Sequence, residues 1–542
     1  MVINENIKQL NSIIDKYIET DLKLNPVKAT YLGIHDYDDN LGSLSKKDFE
    51  IKLDIAKNIY KELKNIQYEN LDISSQVDYD ILNQQLDIII HDIEKEKNYE
   101  KNPSIYQKYG ISAIYPMILK DFSPIEVIQE NILSRMSQIP KIIEQGKENL
   151  KNPPKLWTDM SIVENTNIQD FFEQTLYKFF ENSKLKEKYL KLKESVINSL
   201  KSYKEFLEKD LLAKSTGNWA IGKENFDFIL KKVYFLKQSP EDIYNIGKEV
   251  FRKTQEELEE YAVNNYNKDW KELDEYMKQQ HPCSKDLLKT YQENIDKAKN
   301  FVIEKQLVDI PKNDILSVIE TPEFERINLP FAGYSPPPPF EKKQQGFFFV
   351  TPIDKSLPEE KREQILRWHN FGSIQFVSLH EAYPGHHLQL LYSNSNPSRL
   401  RKYTMNTLFI EGWALYTEKL MRDFGFFDKL GKFAQIKARL WRASRVIIDV
   451  GIHTGIMNFE DGVNFLVNQT NCDHWEALSQ MKYYTHLPAQ PMSYLIGMME
   501  ILNLREEYKN KTKNDFSIKD FHNKLLSFGS LPVKFISKLL FN

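Results

Sequence analysis

Leu185-Lys-Glu-Lys-Tyr-Leu-Lys-Leu-Lys-Glu-Ser-Val-Ile-Asn-Ser-Leu-Lys-Ser-Tyr-Lys-Glu-Phe-Leu207 sets apolar residues three and four apart among lysines and glutamates. That is the period of an α-helix with one buried stripe, because 3.6 residues bring a side chain back to the same face. Residues 51–66 follow the same pattern. Glycine, which weakens helix interiors, numbers only 19 in 542 residues, and the alternation that marks half-buried strands is rare. The expected fold is mainly α, a large multi-helix architecture forming a single unit over residues 1–542. Its helices are expected to be joined by short loops at Pro140, Asn152-Pro153-Pro154, Ser239-Pro240 and Pro282.

The main compositional break is Ala332-Gly-Tyr-Ser-Pro-Pro-Pro-Pro-Phe340, where four consecutive prolines must end any helix. Behind it, Gln345-Gly-Phe-Phe-Phe-Val-Thr-Pro352 has the aromatic and β-branched profile of a short strand, and its closing proline suggests an edge or a strand end. The bland reading is a core strand packing its three phenylalanines; the functional one is an edge able to pair with an extended peptide. The break suggests a helical amino-terminal lobe over residues 1–330 and a catalytic lobe over 331–542.

With 41% hydrophobic and 28% charged residues, the composition suits a globular protein with a large core. Lysine and arginine number 73 against 77 acids, a net charge of -4, which gives no reason to expect a nucleic-acid partner. Two cysteines exclude a four-cysteine zinc site, so any metal must be held by histidines and carboxylates. The first ten residues lack the apolar run of a secretory signal, and apolar stretches such as 446–452 are interrupted far short of a membrane span. A cytoplasmic location, no membrane partner and a monomer by default are the corresponding expectations.

Chemistry concentrates in Ser378-Leu-His-Glu-Ala-Tyr-Pro-Gly-His-His-Leu-Gln389, which gathers three of the eleven histidines and a glutamate. A His-Glu pair followed by a second His is how zinc peptidases supply two imidazole ligands and a general base, here His380 and Glu381. The usual second ligand stands four residues on, about 6 Å along the helix on nearly the same face. That position is Pro384, and the next histidines are His386 and His387. In an unbroken helix the sixth position points about 120° away and the seventh lies about 10 Å along the axis, so neither fits as drawn. Pro384 and Gly385, however, predict a bulge or break between the ligands, which lets His386 take the second place, with His387 as the alternative.

A third ligand is needed to leave one position open for water. Asn406-Thr-Leu-Phe-Ile-Glu-Gly-Trp-Ala-Leu-Tyr-Thr-Glu418 offers Glu411, beside a glycine that would let its helix approach the metal helix closely. Glu418 reads better as a supporting or surface carboxylate. Groups able to stabilise an oxyanion are sought further on, at His453, Tyr484 and Tyr494, each of which has an ordinary core reading beside the catalytic one. Arg442 and Arg445 are suited to a substrate carboxylate, although Arg445 stands four residues before Asp449 and would more simply pair with it.

Taken together, these segments resemble a family of mostly bacterial candidate metallopeptidases, catalogued as a domain of unknown function, whose hallmark is His-Glu-x-x-Pro-Gly-His-His (HExxPGHH). Glu411-Gly-Trp-Ala-Leu-Tyr-Thr-Glu418, Arg445-x-x-x-Asp449-x-Gly-x-His453 and Pro488-x-Gln490-x-x-x-Tyr494-x-x-Gly497 look like its blocks in the expected order. The resemblance is strongest over residues 330–505 and implies a cleft-bearing, gluzincin-like helical fold, similar to the peptidases related to angiotensin-converting enzyme and the oligopeptidases. It also implies a small β element beside the site, one zinc ion on His380, His386 and Glu411, and Glu381 as base. The function expected is zinc-dependent hydrolysis of short peptides. The rivals are a metal-dependent hydrolase of other amides or esters, and a helical protein that binds metal without catalysis.

Overall fold

The computed structural model describes residues 2–120, 122–312, 314–323, 326, 329 and 331–542. It is 73% helix and 3% strand, the mainly α fold expected from the helical period. The chain divides into two compact units, Met1–Trp219 and Ala220–Asn542. Residue 330, where the proline-rich break suggested a division, lies outside the described residues, and the break itself falls inside the second unit.

In the first unit, helices α1 (Lys46–Lys64), α2 (Ser104–Leu119), α3 (Ile125–Asn149) and α4 (Lys186–Phe206) carry much of the architecture. The stripe read in residues 185–207 is buried as Tyr189, Val196, Ile197, Leu200 and Tyr203. At roughly 1.5–3 kcal/mol for each large apolar side chain removed from water, that face fixes α4 against its neighbours. Gly110 and Gly146 let α2 and α3 close on each other: a Cβ at Gly146 would stand 2.5 Å from the Tyr106 ring. Pro140, expected in a loop, lies inside α3. The burial of Met136, Ile139, Ile142 and Ile143 around it outweighs the one backbone hydrogen bond a proline forfeits.

The second unit contains α5 (Pro240–Tyr266), α6 (Trp270–Lys278), α7 (Leu287–Glu304), a small sheet, then α8 (Phe371–Glu381), α9 (His386–Asn394), α10 (Thr407–Asp423), α11 (Lys429–Thr454) and α12 (Gln490–Thr512). Ser239 and Asp242 form a capping box ahead of Pro240, so the Ser239-Pro240 loop starts α5 as local chemistry dictates. Gly247 of α5 meets Val446 of α11, where an added Cβ would approach within 2.9 Å. That packing explains why residues 220–330 cluster with the carboxy-terminal helices.

The sheet has strands β1 (Ile315–Glu320), β2 (Ala332–Ser335) and β3 (Gln345–Val350) in the order β1-β3-β2. β1 runs parallel to β3 with Ile315 opposite Gln345, and β2 antiparallel with Ala332 opposite Val350. The aromatic strand is therefore central, not an edge, and it ends two residues before Pro352. Phe348 and Phe349 are buried, which is the core-strand reading. Among the described residues, no helix is long and apolar enough to cross a membrane.

Candidate metal centre

The His-Glu segment folds as two helices with a turn between them. Asn370 caps α8 by accepting from the Ser373 backbone N–H, and α8 ends at Glu381. Ala382 to Gly385 then double back, and α9 starts at His386. The Gly385 N–H donates to the Leu379 carbonyl at 3.0 Å. A Cβ on Gly385 would lie 1.9 Å from the His380 carbonyl oxygen, so only glycine fits. Trp413 of α10 pins the turn from outside, its indole N–H donating to the Pro384 carbonyl at 2.8 Å. The break foreseen at Pro384 and Gly385 is thus a full interruption of the helix.

The turn brings His386 back to His380, their rings 4.8 Å apart and perpendicular. Glu411 of α10 completes a group whose ligand atoms all lie within 4.8 Å of one another. His386 Nε2 and Glu411 Oε2 are 3.4 Å apart, with side chains only 10% and 17% exposed. Ligands of a tetrahedral zinc stand roughly 3.4 Å from each other, given metal–ligand bonds of about 2.1 Å. Glu411 Oε2, which faces His386 Nε2, is buried without a hydrogen-bond partner, which is costly unless something else binds it. Two imidazoles and a carboxylate are a donor set suited to zinc.

Glu418, two turns beyond Glu411, is fully buried and holds the ring of His380, whose Nδ1–H donates to Oε1 at 2.8 Å. This fixes the tautomer and leaves Nε2 free as a ligand. Burial disfavours a charged His386 ring, but the Glu411 carboxylate outweighs it and the histidine pKa is raised. Burial likewise opposes the Glu411 carboxylate, and His386, His380 and the Tyr494 hydroxyl overcome it, lowering its pKa to about 2. A cation bound between them would take over the role of the imidazolium.

His387 does not join this group. Its Nε2–H donates to Asp314 at 2.7 Å, and in the neutral ring its Nδ1 accepts from the Tyr334 hydroxyl at 2.9 Å. With both nitrogens engaged and the residue fully buried, the alternative ligand assignment fails on geometry. Asp314 also accepts from Tyr383 at 2.6 Å and pairs with Lys299 of α7 at 2.5 Å. Burial opposes its charge, but these donors hold the carboxyl near 2. Asp314 and Tyr334 went unnoticed in the sequence because they lie 73 and 53 residues from His387 and belong to no local pattern.

Of the three expected oxyanion groups, only Tyr494 reaches the cluster, stacked 6.4 Å from the His380 ring, with its hydroxyl accepting from Gln490 Nε2 at 3.3 Å. A glycine crossing puts it there: a Cβ on Gly412 of α10 would sit 2.4 Å from the backbone of Gly497 on α12. The close approach expected at Gly412 is therefore to the helix of Tyr494, not to the His-Glu helix. Tyr484 is fully buried and its hydroxyl accepts from Arg445 Nε at 3.1 Å. His453 is also fully buried, with Nε2 on the Tyr484 carbonyl at 3.1 Å, a core histidine whose pKa burial lowers to about 4. Arg445 does not pair with Asp449, which instead accepts the backbone N–H groups of Ala489 and Met492 at 3.1 and 3.0 Å.

Beside α8 lies a cavity of about 800 Å3, lined by Ser373, Phe376 and Val377 from α8 and by Ala438, Trp441 and Arg442 from α11. His380, Glu381, His386 and Glu411 are not among its lining residues; its nearest link to them is Arg442, 3.8 Å from the Glu418 that holds His380.

Fold and site together define a large helical protein with a buried His-His-Glu centre. The chain belongs to the family described as bacterial protein of unknown function (DUF885), whose model matches residues 26–540. It is similar in structure to a candidate lipoprotein of unknown function from Shewanella oneidensis, at 26% identity and a TM-score of 0.83 over 98% of this chain and 99% of that one. A second candidate lipoprotein, from Colwellia psychrerythraea, shares the fold at 19% identity and a TM-score of 0.79, covering 98% of each chain. Comparison with the curated proteins gave no match.

Proposed function

We propose that this chain is a zinc-dependent peptidase acting on short peptides, with the ion held by His380, His386 and Glu411. The observation that carries this reading is the convergence of those three side chains within 4.8 Å, with His386 Nε2 3.4 Å from a Glu411 Oε2 that is buried without a hydrogen-bond partner. Zinc, when bound, supplies Lewis acidity, polarising a carbonyl and making water a nucleophile at neutral pH.

The remaining steps fall to the chain's own residues. Glu381 closes α8 next to His380 and is partly exposed, placed to take the proton of the attacking water and pass it to the leaving amine. Tyr494 keeps its proton, its pKa raised by burial and then by Glu411, and its hydroxyl donates to the developing oxyanion. Glu418 orients His380, and the Asp314–His387–Tyr334 chain secures the first turn of α9 behind His386. A cavity of this size, walled by helices, admits a few residues of extended peptide and suits short substrates.

The test is elemental analysis of the purified protein together with cleavage of a mixed peptide library, with and without chelator. About one zinc per chain and chelator-sensitive cleavage are expected, lost together in His386→Ala and retained as metal without cleavage in Glu381→Gln. Zinc binding with no peptide cut, but with turnover in a panel of non-peptide amides and esters, would transfer the site to another hydrolase class.

A further inference from the structure

We infer that Arg442 anchors the terminal carboxylate of the substrate, making the enzyme a carboxy-terminal exopeptidase that favours a large apolar final residue. This rests on the peptidase reading above. Four cations line the cavity among the described residues: Lys278, Arg367, Lys437 and Arg442. Three are committed. Lys437 and Lys278 pair with the fully buried Asp274 at 2.5 and 3.0 Å, and Arg367 pairs with Glu275 at 2.5 Å. Arg442 differs. Its Nη1 makes one long contact, 3.5 Å, to the Ala438 carbonyl of its own helix, and its Nε is buried without a partner. Its Nη2 forms a long ion pair with the buried Glu418 at 3.8 Å, which is not a hydrogen bond.

The other arginines of α11 show what a structural role looks like on the same helix. Arg439, whose Nε is likewise buried without a partner, is bound to Glu257 through Nη2, and Arg445 donates to Tyr484 and Gln480; what sets Arg442 apart is the absence, among the described residues, of a direct hydrogen bond from its guanidinium to another side chain. A guanidinium offers a planar fork of donors that matches a carboxylate in two parallel hydrogen bonds. Arg442 keeps that fork open at the wall of the cavity.

Its position sets what is cut. Arg442 stands 3.8 Å from Glu418, Glu418 holds His380, and the Arg442 guanidinium lies 5.8 Å from the Tyr494 ring that stacks on His380. A carboxylate on Arg442 therefore lies within about two residues of the metal cluster, each extended residue spanning about 3.5 Å. The final side chain then enters the space between Phe376 and Trp441. Water adds across the peptide bond: its oxygen joins the carbonyl carbon of the shortened peptide and its proton the nitrogen of the released fragment. Each cut creates a new terminal carboxylate, so trimming is stepwise.

The experiment compares two peptides of identical sequence ending in phenylalanine, one a free acid and the other an amide, with zinc-loaded protein and mass-spectrometric identification of products. Release of one or two residues from the acid is expected, with the amide cut about 10- to 100-fold more slowly, the worth of hydrogen bonds to a charged group. In Arg442→Ala the acid should fall to the rate of the amide, with Arg442→Lys between. A second readout needs no turnover: 3-phenylpropanoate should raise the melting temperature of wild type, 3-phenylpropanamide should not, and Arg442→Ala should lose the shift. Equal cleavage of acid and amide, cuts at internal bonds, or an acid preference that survives in Arg442→Ala would overturn the assignment. If zinc-loaded wild type cuts neither peptide, the peptidase reading falls. Arg442-dependent binding of 3-phenylpropanoate would then still mark a carboxylate site, and its absence would remove that as well.

Discussion

Arg135 in the first unit and Arg442 in the second are both guanidiniums set into helical packing, and they are treated oppositely. Arg135 is fully buried and saturated: it donates to the carbonyls of Ala113 and Asn40 and to the Thr30 hydroxyl, with Asp38 at 3.8 Å. Arg442 has one long hydrogen bond to its own helix and a 3.8 Å ion pair with Glu418. The contrast extends to the regions around them. Among the described residues, Glu96 Oε1 is the buried side-chain polar atom without a hydrogen-bond partner in Met1–Trp219, whereas Ala220–Asn542 has twelve, of which His386 Nδ1, Glu411 Oε2, Glu418 Oε2 and Arg442 Nε belong to the His380 cluster and the side chains beside it. Folding alone would saturate these groups, because each orphan costs about 1–3 kcal/mol. Tolerating several side by side is the mark of a site that completes its bonding with something from outside.

The contrast can be broken in four places. Glu381→Gln should reduce peptide cleavage by about 1,000-fold with metal content unchanged, since a general base contributes 10²–10⁴; retained activity would put the base elsewhere. Arg135→Ala should lower stability by about 3 kcal/mol in urea unfolding, the cost of stripping partners from buried acceptors. Cleavage per folded molecule should not change, and a specific loss of activity would erase the distinction between the two guanidiniums. Glu418→Gln should weaken zinc about 10- to 100-fold in a chelator competition, the usual price of disturbing a carboxylate that orients a ligand histidine.

The smallest effect concerns Asp449, a buried acid with no cation in hydrogen-bonding range. Burial pushes its carboxyl up to about 8 against the two backbone N–H groups that favour its charge. The folded value exceeds the unfolded value of about 3.9, so its contribution is complete below about pH 4 and is lost as pH rises through about 8. Wild-type melting temperature should therefore decline between about pH 4 and pH 8, and Asp449→Asn should flatten part of that decline. An identical slope in the variant would mean that the carboxylate is stabilised in the fold after all.

Local patterns carried much of this. The helical period located the helices, and His380, His386 and Glu411 follow from residue type, spacing and the disruptive Pro384-Gly385 pair. What sequence could not give was long-range commitment. His386 and His387 look alike until Asp314 and Tyr334, far away in the chain, occupy both nitrogens of the second. Tyr484 and Tyr494 are equally attractive as hydroxyl donors, and burial beneath Arg445 separates one from the other. The pairing of Arg445 with Asp449 was reasonable for i,i+4 neighbours, yet the carboxylate is used by backbone groups at the start of α12. Pro140 misled for a related reason, since a loop signal yields when the flanking apolar face is buried.

The turn at residues 382–385 has a consequence for how the ligand spacing can vary. In an ordinary metal helix the interval between two histidines is dictated by helical pitch and admits one value. Here it is set by the closure of a folded spacer, with Gly385 pressed on the His380 carbonyl and Trp413 clasping Pro384. His386 and His387 then stand at consecutive positions, about 100° apart on α9. Removing one residue from the spacer would present His387 where His386 now stands and strand Asp314 without its imidazole. The adjacent histidines behave as two teeth of a gear, and the length of the spacer decides which one engages.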